Sequence, residues 1–133
     1  MSAPAVMRVK VVDASAIAAL LFGEPEAEAV AARLGDARLV APALLHFELA
    51  NVCLIKSRRN PDQQSALAAA FQLRDRLAVE VVAVDHDGTL ELAATTGLTA
   101  YDASYLWLAR RLGAELITLD KQLAQADAAS PKN

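Results

Sequence analysis

The stretch from Gly97 to Asp120, GLTAYDASYLWLARRLGAELITLD, decides how this chain folds. It opens with Thr99-x-x-Asp102, the spacing of a capping box, in which a hydroxyl and an acid three residues on satisfy the free N–H groups of a first helical turn. The amphipathic pattern runs from Thr99 to Leu112, and Gly113 stops it. AELITL, residues 114–119, then reads as a strand, and the strand ends on an acid, Asp120. A helix that passes through a glycine into a short apolar strand is the closing half of a parallel crossover unit.

The same alternation extends outward. Further β-rich runs stand at RVKVV (8–12), ARLVA (37–41) and AVEVVAV (78–84), and helical patterns fill every gap. SAIAALLF (15–22) is followed, after the breaker Gly23-Glu24-Pro25, by EAEAVAARL (26–34) with Gly35 as its stop. ALLHFELANVCLIKSRR (43–59) ends at Asn60-Pro61, DQQSALAAAFQLRDRL (62–77) leads into the third strand, and TLELAAT (89–95) stops at Gly97. Strands separated by helices predict parallel pairing through right-handed crossovers, hence an α/β fold with a central parallel sheet of about four strands. No internal repeat or linker interrupts residues 1–126, which read as a single domain. DAASPKN, residues 127–133, reads as a flexible tail.

With 133 residues and 55% hydrophobic content, the chain suits one domain with a sizeable core. The single Cys53 has no disulfide partner and sits in an apolar helical stretch, where a small buried hydrophobe is expected. No apolar run approaches the roughly 18 residues of a membrane span, and MSAPAVMRVKVV lacks the order of a signal peptide. A soluble, cytoplasmic protein without membrane association is therefore expected. A formal charge of −3 provides no global field to attract a polyanion. Any nucleic-acid substrate would have to be held by local basic patches or by metal ions.

The acids are placed suggestively. Asp13 follows the first strand and Asp120 the fourth, so both project from the carboxyl edge of the sheet, where open α/β sheets bind ligands. Each also has a plain alternative as a helix N-cap, Asp13 or Ser15 for AIAALL and Asp120 for KQLAQA. Asp85 and Asp87 follow the third strand and read as capping and turn residues. Glu48 differs, because its helical neighbours Leu44, Leu45, Val52 and Ile55 place it on an apolar face, where an unpaired charge is costly. A salt bridge to an Arg is the structural alternative. Asn51, nearly one turn on, reads as a partner of Glu48 or as an amide at the core edge.

Asp13, Glu48, Asp102 and Asp120 can thus meet at one edge of the sheet. Two carboxylates about 4 Å apart repel by roughly 4 kcal/mol at an effective dielectric of 20, so such a group calls for protons or cations. Hard divalent cations with oxygen ligands suit it. His46 and His86 stand in unrelated settings, which argues against zinc, and no phosphate-binding glycine loop or nucleophile elbow is present. Mg²⁺, with Mn²⁺ as its substitute, is the chemistry that remains.

VVDASAIAALL with Asp13, APALLHFELANV with Glu48, LTAYDASYLWLARRLG with Asp102 and LITLD with Asp120 together resemble a PIN-domain ribonuclease, specifically the VapC toxins of toxin–antitoxin modules. The resemblance runs from about Val9 to Gln125. It implies a PIN-like three-layer α/β/α sandwich and a Mg²⁺-dependent endoribonuclease that cleaves RNA through metal-activated water, leaving a 5′-phosphate and a 3′-hydroxyl. It further implies homodimerisation and neutralisation by a cognate VapB-like antitoxin. Asp13, Glu48, Asp102 and Asp120 match the family's metal-binding, catalytic acids, and Ser15 and Thr118 match supporting hydroxyl positions. One departure is that relatives commonly add a short fifth strand after the last helix, whereas LAQADAASPKN contains no β-run.

Lys56, Arg58, Arg59, Arg110 and Arg111 are candidate RNA-backbone contacts, although cations at helix ends also simply favour the helix dipole. Tyr101, Tyr105 and Trp107 either stack bases or serve as core or dimer contacts. An antitoxin is expected to cover apolar side chains of AIAALLF and LLHFELANV while a basic side chain reaches Asp13 and Asp102. Two rival enzyme classes fit poorly. A receiver domain needs paired acids after the first strand and an aspartyl-phosphate phosphatase needs Asp-x-Asp, whereas VVDASA offers one acid. The alternative from another class is a catalytically idle PIN-like protein-binding module.

Overall fold

The computed structural model describes residues 8–129. Along the chain lie β1 (Val9–Val12), α1 (Ala14–Leu21), α2 (Ala27–Leu34), β2 (Arg38–Pro42), α3 (Leu45–Arg59), α4 (Gln64–Gln72), β3 (Glu80–Val82), α5 (His86–Thr96), α6 (Ala100–Leu112), β4 (Glu115–Ile117) and α7 (Lys121–Ala129). The strands form one sheet in the order β3-β2-β1-β4. Every pairing is parallel, with Val11 of β1 opposite Val40 of β2 and Leu116 of β4, and Ala41 of β2 opposite Val81 of β3.

Strand order and crossover handedness fix the layers. Each step from β1 to β2 to β3 moves the same way across the sheet, so right-handed crossovers lay α1 to α4 on one face. The return to β4, on the far side of β1, lays α5 and α6 on the other. Accordingly α1 packs on α2 and α3, whereas α6 lies across β1, β2 and β4 with α5 and α7 beside it. The result is the three-layer α/β/α sandwich. Its core gathers Val11 and Val12 of the central strand, Ile17, Val30, Leu45 and Leu49 from one layer, and Tyr105, Leu106 and Leu123 from the other.

Several boundaries differ from the sequence-based expectation. The third strand spans only Glu80–Val82, because Ala78 takes a left-handed conformation (φ 52°) that ends a 3-10 turn at Leu73–Leu77. Its partner Pro42 also lacks an N–H to continue the ladder beyond Val82. The helix expected over 62–77 breaks into α4 with 3-10 turns at Pro61–Gln63 and Leu73–Leu77. Helix α5 starts earlier than expected, at His86. Asp85 caps it by accepting a hydrogen bond from Gly88 N at 2.9 Å, the capping duty assigned to it.

Helix α7 continues to Ala129, so Asp127, Ala128 and Ala129 of the expected tail are helical, and the remainder lies outside the described residues. Among the described residues no fifth strand follows α7, and β4 is an edge. Arg33 covers that edge, its guanidinium donating to the Leu116 carbonyl at 3.4 Å and pairing with Glu115 at 3.5 Å. Among the described residues no helix is long and apolar enough to cross a membrane.

Candidate active site

Strand order reverses at β1. The chain leaves β1 toward β2 on one side and later fills the other side with β4, so a crevice opens outside the carboxyl ends of β1 and β4. Asp13 and Asp120 flank it, each at the start of the helix that follows its strand.

Asp13 is 5% exposed and accepts three hydrogen bonds. Its Oδ1 takes Ala16 N at 3.0 Å, which caps α1, and Ser15 Oγ at 2.7 Å; its Oδ2 takes Thr118 Oγ1 at 2.5 Å. The two hydroxyls, having donated to Asp13, accept from the exit of β4: Thr118 Oγ1 from Asp120 N and Ser15 Oγ from Leu119 N, both at 2.9 Å. Ser15 and Thr118 thus tie the exits of β1 and β4 together. Asp120 caps α7, its Oδ1 accepting from Leu123 N at 2.9 Å. Capping and clustering are therefore compatible at both positions.

Asp102 stands half-buried in the first turn of α6, where Thr99 Oγ1 accepts its backbone N–H at 3.1 Å. The hydroxyl half of the capping box is formed. Glu48 stands half-buried in the first turn of α3, and the Tyr105 hydroxyl donates to its Oε1 at 2.6 Å. That hydroxyl takes the place of the Arg considered as its partner. The apolar face inferred around Glu48 holds at Leu45, which is buried, and loosens at Ile55, which is 39% exposed.

The carboxylates feel one another. Burial raises the pKa of Asp13 above the usual range, and the charge on Asp120 adds to it while the bonds from Thr118, Ser15 and Ala16 oppose it. Burial likewise raises Glu48, with Asp102 and Asp13 adding to it against the Tyr105 hydrogen bond. Asp102 rises through burial and then through Asp120 and Asp13, partly offset by Thr99. Tyr105 is pushed up by burial and by Glu48, which keeps it a proton donor. Among the described residues the ion pairs join Lys10 and Arg33 to Glu115, Arg38 to Glu80 and Lys56 to Glu24, and none of them reaches these four acids.

Oxygen-only donors, of which Asp13, Glu48 and Asp102 are disfavoured as anions by burial and by neighbouring carboxylates, suit a hard divalent cation. Among the described residues no three His, Cys, Asp or Glu side chains close tightly enough to enclose one. Mg²⁺ does not require such a cage, since one or two carboxylates plus waters and substrate phosphates commonly hold it.

The remaining candidates fall elsewhere. Asn51 is exposed, and among the described residues the side-chain hydrogen bond that Glu48 accepts comes from Tyr105 and not from Asn51. Lys56 is engaged by Glu24 at 2.7 Å and lies 6.0 Å from the centre of the Phe22 ring. Arg58 and Arg59 close α3, about 15 Å along the axis from Glu48, and Arg110 and Arg111 close α6, about 12 Å from Asp102. The latter pair lies toward the amino edge of the sheet, near a cavity of about 500 Å³ lined by Arg8, Lys10, Gly113 and Glu115, among others. None of these Arg residues borders the acidic crevice. Tyr101 is 68% exposed beside Asp102, while Trp107 packs against Gly88. Tyr105, read from the sequence as a stacking, core or dimer residue, is the hydrogen-bond partner of Glu48. Its position three residues after Asp102, on the same helix face, is the signal that connects it to the acids.

Residues 10–129 match the family model of the PIN domain. The chain is 35% identical over 120 residues to Ribonuclease VapC3 of Pyrobaculum aerophilum, across 86% of this chain and 92% of that protein. The fold is similar to the crystal structure of PAE2754 from Pyrobaculum aerophilum, with a TM-score of 0.72 and 26% identity, covering 90% of this chain and 79% of that one. With the acids arranged at the carboxyl edge of such a sheet, the chain belongs to the PIN-domain family.

Proposed function

We propose that this protein is a divalent-metal-dependent endoribonuclease of the VapC type, with Asp13, Glu48, Asp102 and Asp120 as its metal-binding acids. The observation that carries the reading is their placement at the strand-order switch, where burial and neighbouring carboxylates raise the pKa of Asp13, Glu48 and Asp102 and, among the described residues, no ion pair neutralises any of the four. Similarity to a protein named as a ribonuclease supports the substrate class. Mg²⁺ or Mn²⁺ bound there would activate water and offset the charge that develops on the phosphodiester during hydrolysis.

The chain's own residues prepare the site. Three hydrogen bonds hold Asp13 in one orientation, and Thr118 and Ser15 fix the exit of β4 that carries Asp120. Asp102 and Glu48 approach from the first turns of α6 and α3. The Arg residues at the far ends of those helices would touch only RNA backbone distant from the reacting phosphate.

A VapB-like antitoxin would neutralise the enzyme by directing an Arg at the acids, where bidentate pairing replaces the cation. Apolar anchoring would draw on α3, where Phe47 is 81% and Leu54 44% exposed; Ala16 to Ala19 of α1 are buried and unavailable. The chain would act as a homodimer. The test is RNA cleavage by the purified protein with Mg²⁺, with excess EDTA, and after Asp13→Ala. Cleavage restricted to wild type with Mg²⁺ is expected. Cleavage that survives EDTA or Asp13→Ala would overturn the metal-site reading, and none under any condition would leave an idle protein-binding PIN module.

A further inference from the structure

The Tyr105 hydroxyl donates to Glu48 Oε1 at 2.6 Å, and the residue that carries it is 1% exposed. A Tyr hydroxyl has one proton and a ring that sets its direction, so a fully packed ring presents that proton at one fixed point. Glu48, by contrast, is half-buried on a long side chain that would otherwise sample several rotamers. The bond joins α6, which also carries Asp102, to α3, so it couples two elements of the crevice at the carboxylate itself.

Engaging Oε1 has a chemical consequence. Each carboxylate oxygen has two lone pairs; the Tyr105 bond takes one of those on Oε1 and leaves both on Oε2, so Oε2 is the stronger donor to a cation and ligation through both oxygens competes with the hydrogen bond. Mg²⁺ accepts six ligands near 2.1 Å in octahedral geometry, for which one-oxygen carboxylates are suited, whereas Ca²⁺ takes six to eight and readily uses carboxylates through both oxygens. We infer that Tyr105 is a positioning residue that holds Glu48 as a one-oxygen ligand and so favours Mg²⁺ over Ca²⁺ in the acidic crevice. This inference rests on the proposed metal site and adds to it the residue that selects the cation.

The test is direct cation binding, read by calorimetry with Mg²⁺ alone and with Ca²⁺ alone, for wild type, Tyr105→Phe and Glu48→Asp, with circular dichroism as the check on folding. Tyr105→Phe keeps the ring and its packing. Mg²⁺ affinity should fall by about tenfold, the scale of losses seen when a group orienting a metal ligand is removed, while Ca²⁺ affinity holds or rises. Glu48→Asp withdraws the carboxylate from the hydroxyl by one methylene with Tyr105 intact, and it should relax the Mg²⁺ to Ca²⁺ preference in the same sense even if Tyr105→Phe fails to fold. An unchanged preference in the folded variants would overturn this inference alone. Wild type that binds neither cation would overturn the proposed metal site as well.

Discussion

Asp102 is disfavoured as an anion by burial and by the charges of Asp120 and Asp13, an effect that the Thr99 hydroxyl only partly offsets, and the helix cap itself is made by its backbone N–H. Removing its charge without changing its shape therefore separates chemistry from stability. Asp102→Asn should abolish Mg²⁺-dependent RNA cleavage while the melting temperature of the metal-free protein stays level or rises. A clear drop in melting temperature would mean that the carboxylate stabilises the fold. Thr99→Ala should behave in the opposite way. Loss of the Thr99 cap should cost about 1 kcal/mol in denaturant unfolding and leave most of the cleavage activity. At this scale the sequence singled out the acids, and the resemblance added Ser15 and Thr118, but the bond from Tyr105 to Glu48 was missed because it joins residues far apart in the chain and the helical spacing of Tyr105 from Asp102 does not name its partner.

Helix α5 depends on a close approach to α6 at Gly88. A Cβ there would stand 2.6 Å from Trp107 Nε1 and 2.7 Å from Asp85 Oδ2, the oxygen that caps the helix. Gly88→Ala should therefore destabilise the protein by about 1–3 kcal/mol through overpacking, with a change in Trp107 fluorescence as the local report. An unchanged denaturation midpoint would show that the ring moves aside freely. Ala78 is the converse case, a residue with a Cβ in the left-handed region at φ 52°. Ala78→Gly should relieve about 1 kcal/mol of that conformational cost, less the greater freedom of glycine in the unfolded chain, and raise the midpoint slightly. Helix and strand types were legible because apolar periodicity and breakers mark them. The short β3 was not, since its length is set by Pro42 across the ladder and by the turn at Ala78.

For the whole molecule, Asp13, Glu48 and Asp102 share one sign of shift, with native pKa values above those of the unfolded chain. Between the unfolded values, near 3.9 for Asp and 4.3 for Glu, and the raised native ones, the folded protein binds more protons. Its stability from these groups is thus fully present below the unfolded values and is lost as pH rises through the native ones. Melting in EDTA should therefore decline as pH rises from mild acid toward neutrality, and Asp102→Asn should flatten that decline. Mg²⁺ at neutral pH should recover stability by about 2.7 kcal/mol at a hundred times its Kd. A slope identical in wild type and Asp102→Asn would mean that the Asp102 carboxyl is not raised in the folded state by burial or by its neighbours.

Alternation of strand and helix, the glycine stops and the acids at strand ends are local or periodic properties, so the sequence alone determined the α/β class, the parallel sheet and the four acids worth testing. What lies beside what is not local. Only the tertiary structure decided that Asp13 is bound by Thr118 and Ser15, that Tyr105 meets Glu48, and that the Arg residues of α3 and α6 end far from the acids. The physical reason is that helices of this length carry their two ends to opposite edges of the sheet. Strand order, which no single segment encodes, then brings the exits of β1 and β4 together.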